Sequence, residues 1–271
     1  EEAFLKTFSH NFKDSQTRNL DLGDNNILKE IPESDIIIAG PPCQGFSLTG
    51  PRNIDDPRNK LYLSVFKTLK LTNPKAFVVE NVRGLKTMWD GNVFKEIIKK
   101  FESAGYIVTE SLLNSADYGV PQIRHRVFIV GIKKELNKKF EFPKPEFDKD
   151  DYITCGEAIG NLPSLENGEL KSNDYNEKPS TNYQRYVMDS NKLYNHEATL
   201  HKQFVKDTIA LVPEGGNYKD LPKGVGDSRK FNEAWTRYHS KKPSRTIDTG
   251  HRNHFHYKWN RVPTIRENAR L

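Results

Sequence analysis

Strand and helix patterns alternate along the first 140 residues, and this alternation constrains the fold more than any other feature of the chain. Asp35-Ile-Ile-Ile-Ala39 is a short apolar run closed by Gly40-Pro41-Pro42. Leu61 to Leu71 has helical spacing, with Leu61, Val65, Phe66 and Leu69 on one side, and Asn73-Pro74 ends it. Ala76-Phe-Val-Val79 is a second apolar strand. Val93 to Phe101 is helical again, with Phe94, Ile97, Ile98 and Phe101 on one face. Tyr106 to Leu113 and Val127 to Ile132 read as further strands, and Glu2 to Asn11 as the end of a helix. Short buried strands separated by amphipathic helices predict an α/β sheet with helices on both faces.

The pattern changes after about Phe140. Prolines at 143, 145, 163, 179, 213, 222 and 243 punctuate the rest, and only His196 to Leu211 reads as a helix. A second, loop-rich domain is expected there. The charge changes too. Residues 184–271 carry 17 Lys and Arg against 9 Asp and Glu, whereas residues 1–183 carry 25 against 27. A polyanion partner and a solvated basic surface both fit that excess. No apolar run approaches the roughly 20 residues of a membrane span. The two cysteines, Cys43 and Cys155, lie far apart, which argues against a disulfide framework or a Cys-rich zinc site and points to a reducing cytoplasm. His251, His254 and His256 have a spacing that fits no common metal site, so no metal is expected.

Ligands of open α/β sheets bind at the carboxyl ends of the strands. Gly40-Pro-Pro-Cys43-Gln44-Gly-Phe-Ser47 follows a strand directly, so Cys43 is either a nucleophile needing an activated thiolate or an inert buried side chain. Glu80 and Asn81 end the next strand, where a carboxylate serves acid work or simply decorates a surface loop. In Gln122-Ile-Arg124-His-Arg126 the polar residues alternate, which on one continuous strand places all three on one face. That face suits an anionic or carbonyl-bearing ligand, or solvent.

These three segments, in this order, resemble the bacterial DNA cytosine-C5 methyltransferases. Asp56-Pro-Arg-Asn-Lys-Leu61 and Arg261-Val-Pro-Thr-Ile-Arg-Glu-Asn-Ala-Arg-Leu271 resemble two more of the family's segments, so the likeness runs the whole chain. It implies a Rossmann-like S-adenosylmethionine-dependent methyltransferase sheet in 1–134. A smaller, loop-rich target-recognition domain would fill 135–257, and 258–271 would return to the catalytic domain. It further implies that Cys43 attacks cytosine C6 and that Glu80 contacts the N3 and N4 edge. Arg126 would bind the base carbonyl O2, and Arg124 would support the active-site loop or phosphate. Asn81 and Gln122 would orient these groups. The reacting base must leave the duplex stack, and Gln44 and Ser47 sit in the loop that closes over it in relatives. Asp21-Leu22 resembles the pair that contacts the adenine of the cofactor, with Asp24 as a rival placement, and Pro41 and Leu61 join that pocket. Thr246-Ile247 matches the family's recognition element. Arg237, Arg245, His251, Arg252 and His254 are candidate base or phosphate contacts.

The implied partner is double-stranded DNA, bound by a monomer, with a restriction endonuclease as a functional partner only and no membrane. The family's glycine-rich cofactor loop and its C-terminal cofactor segment do not occur in these 271 residues. The chain is therefore expected to be an excerpt of a longer protein that binds S-adenosylmethionine poorly by itself. A related tRNA cytosine methyltransferase branch carries Cys-Phe-Thr, which is absent here. A catalytically inactive DNA-binding subunit is a reading of another class, and intact Cys43, Glu80 and Arg126 weigh against it.

Overall fold

Ala76-Phe-Val-Val-Glu-Asn-Val82 combines β-branched and aromatic residues with strict alternation of burial, and it forms an inner strand of the main sheet. In the computed structural model the described residues are 2–24, 26–42, 62–166, 171–175, 177–188, 190–227, 231, 233–248, 250 and 252–271. Cys43, Gln44, Ser47, Leu61 and His251 lie outside the described residues. The chain runs α1 (Glu2–Asn11), β1 (Ile36–Ala39), α2 (Tyr62–Thr72), β2 (Ala76–Val82), α3 (Gly84–Thr87), α4 (Asn92–Ser103), β3 (Tyr106–Asn114), β4 (Gln122–Ile123) and β5 (His125–Lys133). Then follow α5 (Cys155–Ile159), α6 (Asn182–Tyr186), α7 (Gln203–Ala210), β6 (Thr236–Arg237), β7 (Ser244–Arg245), β8 (His254–Phe255) and α8 (Ile265–Arg270).

Two compact units result. The first contains Glu1–Leu113 and His125–Pro143, the second Asn114–Arg124 and Lys144–Leu271. This division differs from the one expected at 134/135. The segment 258–271, expected to return to the catalytic domain, groups with the second unit because its end is tied down there. Tyr183 OH donates to the Arg270 carbonyl at 2.8 Å, and Arg270 Nη1 donates to Asn161 Oδ1 at 2.8 Å.

In the first unit the sheet order is β1-β2-β5-β3. β1 is parallel to β2, with Ile36 beside Ala76, and β2 is antiparallel to β5, with Val82 beside Arg126. α2 and α4 bury Val65, Leu69, Phe94, Ile97 and Phe101 against Phe77 and Val79 of β2. The rings of Phe77 and Phe101 are 4.8 Å apart, and Tyr106 meets Phe77 edge-on at 5.0 Å. Gly131 sits across from Phe77, where an added Cβ would lie 2.0 Å from the ring, so only glycine admits that packing. The apolar faces read from the sequence are thus the ones that pack. β1 differs from the expected buried strand: among the described residues it lies at one edge of the sheet, and Ile36 and Ile38 on its outer face are 58% and 79% exposed. The described helices α2 and α4 cover one face of the sheet rather than both.

The second unit has little regular structure. β4 pairs in parallel with β7, and β6 with β8, each over two residues. Capping boxes start α5 (Thr154 with Glu157) and α8 (Thr264 with Glu267). One core gathers Cys155, Ile159, Leu193 and Tyr238, and another Ile209, Trp235, Phe255 and Val262. The helix expected over 196–211 is shorter, because its first residues are held otherwise. His196 is buried with its ring nitrogens 2.9 Å from Thr264 Oγ1 and 2.8 Å from the Pro163 carbonyl. Glu197 forms a backbone bridge with Lys171.

Candidate active site

Successive side chains of a strand face opposite ways, so β2 sends Glu80 and Asn81 to different faces. Asn81 is buried on the α2/α4 face, beside Pro41, Pro42, Tyr62 and Val79. Its Nδ2 donates to the Pro41 carbonyl at 3.4 Å, and its Oδ1 accepts from the Val82 N–H at 2.8 Å. Asn81 therefore tethers the turn that leads into Cys43. Glu80 projects from the opposite face, and Arg126 is its diagonal cross-strand neighbour. Arg126 Nε lies 2.9 Å from Glu80 Oε1, and Arg126 Nη1 donates to the His125 carbonyl at 2.8 Å. The arginine side chain is 18% exposed and the carboxylate 39%, so the pair is oriented yet reachable. An added Cβ on Gly40 would lie 3.9 Å from Glu80 Oε2, which places the Gly-Pro-Pro turn beside the carboxylate.

Asp21 and Leu22 are exposed side by side in the same unit. Asp21 Oδ1 accepts from the Gly23 N–H at 2.8 Å, and Asp24 Oδ1 accepts from the Asn26 N–H at 2.8 Å, so each acid closes a tight turn. Cys155 is buried where it opens α5, and burial pushes its thiol up to about 12. It carries almost no thiolate near neutral pH, so it does not suit a nucleophilic role.

The Gln-x-Arg-x-Arg segment is not one strand. It breaks at Arg124: β4 pairs with β7 in the second unit, and β5 pairs with β2 in the first. The expectation that Gln122, Arg124 and Arg126 share one strand face is thereby corrected. Gln122 is buried and fully engaged, its Nε2 donating to the Leu271 carbonyl at 2.9 Å and its Oε1 accepting from the Ile247 N–H at 3.3 Å. The backbone of Arg124 is held on both sides. Its N–H donates to Asn114 Oδ1 at 3.1 Å, and its carbonyl accepts from the Ser115 N–H at 3.0 Å. Asn114 Nδ2 in turn donates to Asp117 Oδ1 at 3.0 Å and to Tyr152 OH at 3.2 Å, and Tyr152 OH donates to Asp117. Motif reading passed over Asn114, although Asn-Ser-Ala-Asp117 has the spacing of a capping residue that opens a helical turn.

Thr246 and Ile247 lie beside this segment, Thr246 Oγ1 donating to the Ile123 carbonyl at 2.9 Å. Arg245 is half-exposed with Nη1 3.3 Å from Glu233 Oε2. Arg252 is exposed. Arg237 is corrected from a DNA contact to a structural residue, because its guanidinium is consumed internally. Nε donates to the Tyr257 carbonyl at 3.1 Å, and Nη1 to the Ile209 and Val212 carbonyls at 3.2 and 3.1 Å. Nη2 donates to the Lys258 carbonyl at 2.9 Å and to Asn260 Oδ1 at 3.0 Å. All five N–H donors of the fork are used. His254 is buried with Nδ1 3.3 Å from Tyr238 OH, which removes it from the surface candidates. His256 is buried too, its Nδ1 accepting from the N–H groups of Lys258 and Trp259 at 3.0 and 3.2 Å. Among the described residues no helix is long and apolar enough to cross a membrane.

The sequence profile of C-5 cytosine-specific DNA methylases matches residues 1–271. The chain is 38% identical over 283 aligned residues to the Type II methyltransferase M1.HphI of Haemophilus parahaemolyticus, covering 100% of this chain and 68% of that protein. It is 37% identical over 270 residues to the Type II methyltransferase M.DdeI of Desulfomicrobium norvegicum, covering 93% of this chain and 65% of that protein. The chain thus spans about two thirds of the length of these relatives. Its fold is similar to that of a crystal structure described as a DNA modification methyltransferase encoded within a prophage of E. coli. The TM-score is 0.73 and the identity 24%, over 98% of this chain and 78% of the other. Whole-chain agreement of this kind assigns the chain to the C-5 cytosine-specific DNA methylase family.

Proposed function

We propose that the protein transfers a methyl group to C5 of a cytosine flipped out of a specific duplex site, as the modification enzyme of a restriction-modification system, acting as a monomer on DNA. The observation that carries this reading is the Glu80–Arg126 pair, a half-exposed carboxylate oriented by a guanidinium beside the Gly40-Pro-Pro turn. Cytosine C5 is too weakly nucleophilic to take a methyl group unaided. Addition of the Cys43 thiolate to C6 breaks the C5–C6 double bond and gives C5 enamine character. Glu80 holds a proton at N3, where the charge of the adduct collects, and Arg126 holds both Glu80 and the base carbonyl O2. After transfer, the C5 proton leaves to solvent and the C6–S bond breaks, which restores the ring and the thiolate. Asn81 keeps the Pro41 carbonyl fixed, so the turn delivers Cys43 from a rigid base.

The donor set at Asp21 and Leu22 fits the adenine end of S-adenosylmethionine, since an exposed carboxylate accepts from an exocyclic amino group and an exposed apolar side chain covers a ring face. Asp21, Leu22, Pro41 and Leu61 would hold it. When bound, it would supply the methyl group from an electrophilic sulfonium, the S–CH3 bond breaking and the sulfur keeping its electron pair as the neutral thioether of S-adenosylhomocysteine. In the second unit, Arg245, Thr246, Ile247 and Arg252 are the residues proposed to meet DNA, and Gln44 and Ser47 belong to the loop proposed to close over the base. The full-length protein incubated with genomic DNA and labelled S-adenosylmethionine should place C5-methylcytosine in one short sequence context. Label on no DNA, or label on cytosine nitrogen, contradicts the reading.

A further inference from the structure

The second unit contains a cavity of about 340 Å³ that reaches beyond the proposed DNA contacts, of which only Arg252 lines it among the described residues. Its apolar wall is built by Leu200, Val205, Phe255 and Val262, and its cations are Lys202 and Arg252. Thr199 and His201 also line it, and among the described residues no acidic side chain takes part. The volume falls within the roughly 300–1,000 Å³ of small-ligand sites and is too small for a stretch of duplex. The wall is anchored. Phe255 and Val262 are buried in a core that α7 closes through Val205. His201 Nε2 accepts from the Val262 N–H at 3.2 Å, which pins the loop carrying Thr199 to Lys202. Leu200, in contrast, is 73% exposed, an apolar side chain held at a cationic rim.

An apolar wall with cations at its edge suits one chemistry in particular: a flat, weakly polar ring that carries an anionic group. Unstacked nucleobases are held in this way, the ring against apolar or aromatic side chains and the phosphate on Lys or Arg. Residues 184–271 also hold the chain's basic excess, 17 Lys and Arg against 9 Asp and Glu, which favours a polyanion over a free mononucleotide as the source. We propose that this cavity receives a second unstacked nucleotide of the bound DNA, distinct from the target cytosine, with Lys202 and Arg252 on its phosphates. The inference rests on the methyltransferase reading above. It gives the second unit a way to sense DNA deformability, because unstacking costs less at some base steps than at others.

The test uses the full-length protein and a duplex carrying its mapped methylation site. 2-Aminopurine, whose fluorescence rises when it leaves the stack, replaces one base at a time at positions other than the target. The expected result is a several-fold rise at one such position on binding. Val205→Trp, which fills the cavity, and Leu200→Glu, which makes the rim repulsive without touching the core, should both abolish that rise with unchanged melting curves. Lys202→Ala should flatten the dependence of log affinity on log salt by about one unit. If the protein methylates its site yet no position outside the target brightens, or if the rise survives both substitutions, the inference fails while the activity stands. If no methyl transfer to DNA occurs, both fail. Quenching of free 2-aminopurine nucleotide that Val205→Trp abolishes, without any second signal in DNA, assigns the cavity to a free nucleotide and overturns the DNA source.

Discussion

Glu80 and Arg126 form a diagonal pair across antiparallel strands, and the geometry sets what each substitution should do. Glu80→Gln keeps the size and loses the carboxylate proposed to share a proton with N3. Turnover should fall by about 10²–10⁴-fold, the range for a general acid–base group, with cofactor affinity changed far less. A loss below tenfold in single-turnover methyl transfer would make Glu80 structural. Arg237 and Arg245 separate in the same manner. Arg237→Ala strips five internal hydrogen bonds and should cost on the order of 3–5 kcal/mol by denaturant unfolding. Arg245→Ala loses one half-exposed ion pair and should cost less than about 1 kcal/mol. Equal losses in the two variants would contradict the assignment of Arg237 to the interior.

The buried ionic group around Glu267 sets the response to acid. Burial opposes ionisation of Glu267, but the two hydrogen bonds from Arg261 at 2.7 and 2.8 Å, nearby His256 and the Thr264 N–H outweigh it and hold the carboxyl down at about 2. Burial, against a smaller opposing pull from Glu267, lowers His256 to about 4. Both folded-state values lie below their ordinary ones, so both groups contribute stability at neutral pH that acid removes. His256 loses its share as pH falls from about 6.5 to 4, and Glu267 loses its share from about 4.5 to 2. Melting temperature should therefore drop below about pH 6.5. His256→Asn, which keeps an acceptor near Nδ1 and cannot titrate, should show a shallower drop between pH 6.5 and 4. A drop as steep as the wild type's would remove His256 from the account.

At the scale of elements, the two-residue pair β4–β7 joins segments 122 positions apart, linking Gln122 to Ser244 and Ile123 to Arg245. Gln122→Ala breaks its hydrogen bonds to Leu271 and Ile247, so it should loosen the Thr246-Ile247 segment as well as destabilise the fold by about 1–3 kcal/mol. Hydrogen exchange at the Ile247 amide should quicken in this variant beyond what global unfolding explains, and unchanged exchange there would contradict the link. The long elements were legible in the sequence because their periodicity is strong. Phe94, Ile97 and Phe101 announce the buried face of α4, and Ala76 to Val79 announce β2. The break at Arg124 was not legible. Gln-x-Arg-x-Arg alternates like a strand, and only the tertiary clamp by Asn114 and Ser115 splits it. The shortened α7 has the same cause, a buried His196 whose partners are 33 and 68 residues away. Edge position is likewise a tertiary property, and an Ile-Ile-Ile run in β1 reads the same whether its outer face is covered or open.

At the scale of the whole molecule, one of the three passages of the chain between its units falls between Arg124 and His125, so Arg124 belongs to one unit and Arg126 to the other. Within the second unit the basic excess is confined to residues 184–271, with 17 Lys and Arg against 9 Asp and Glu. Grafting 135–257 into a relative of different specificity should move methylation to this protein's site, and a chimera that keeps the recipient's site would place recognition elsewhere. The central claim is covalent catalysis by Cys43, and trapping tests it most directly. The full-length protein is mixed with S-adenosylmethionine and a duplex carrying 5-fluorocytosine at the target position, where fluorine blocks the final elimination. The account predicts a denaturation-resistant protein–DNA adduct in the wild type and in Cys155→Ala, and none in Cys43→Ala. An adduct that persists in Cys43→Ala, or that disappears only in Cys155→Ala, contradicts it.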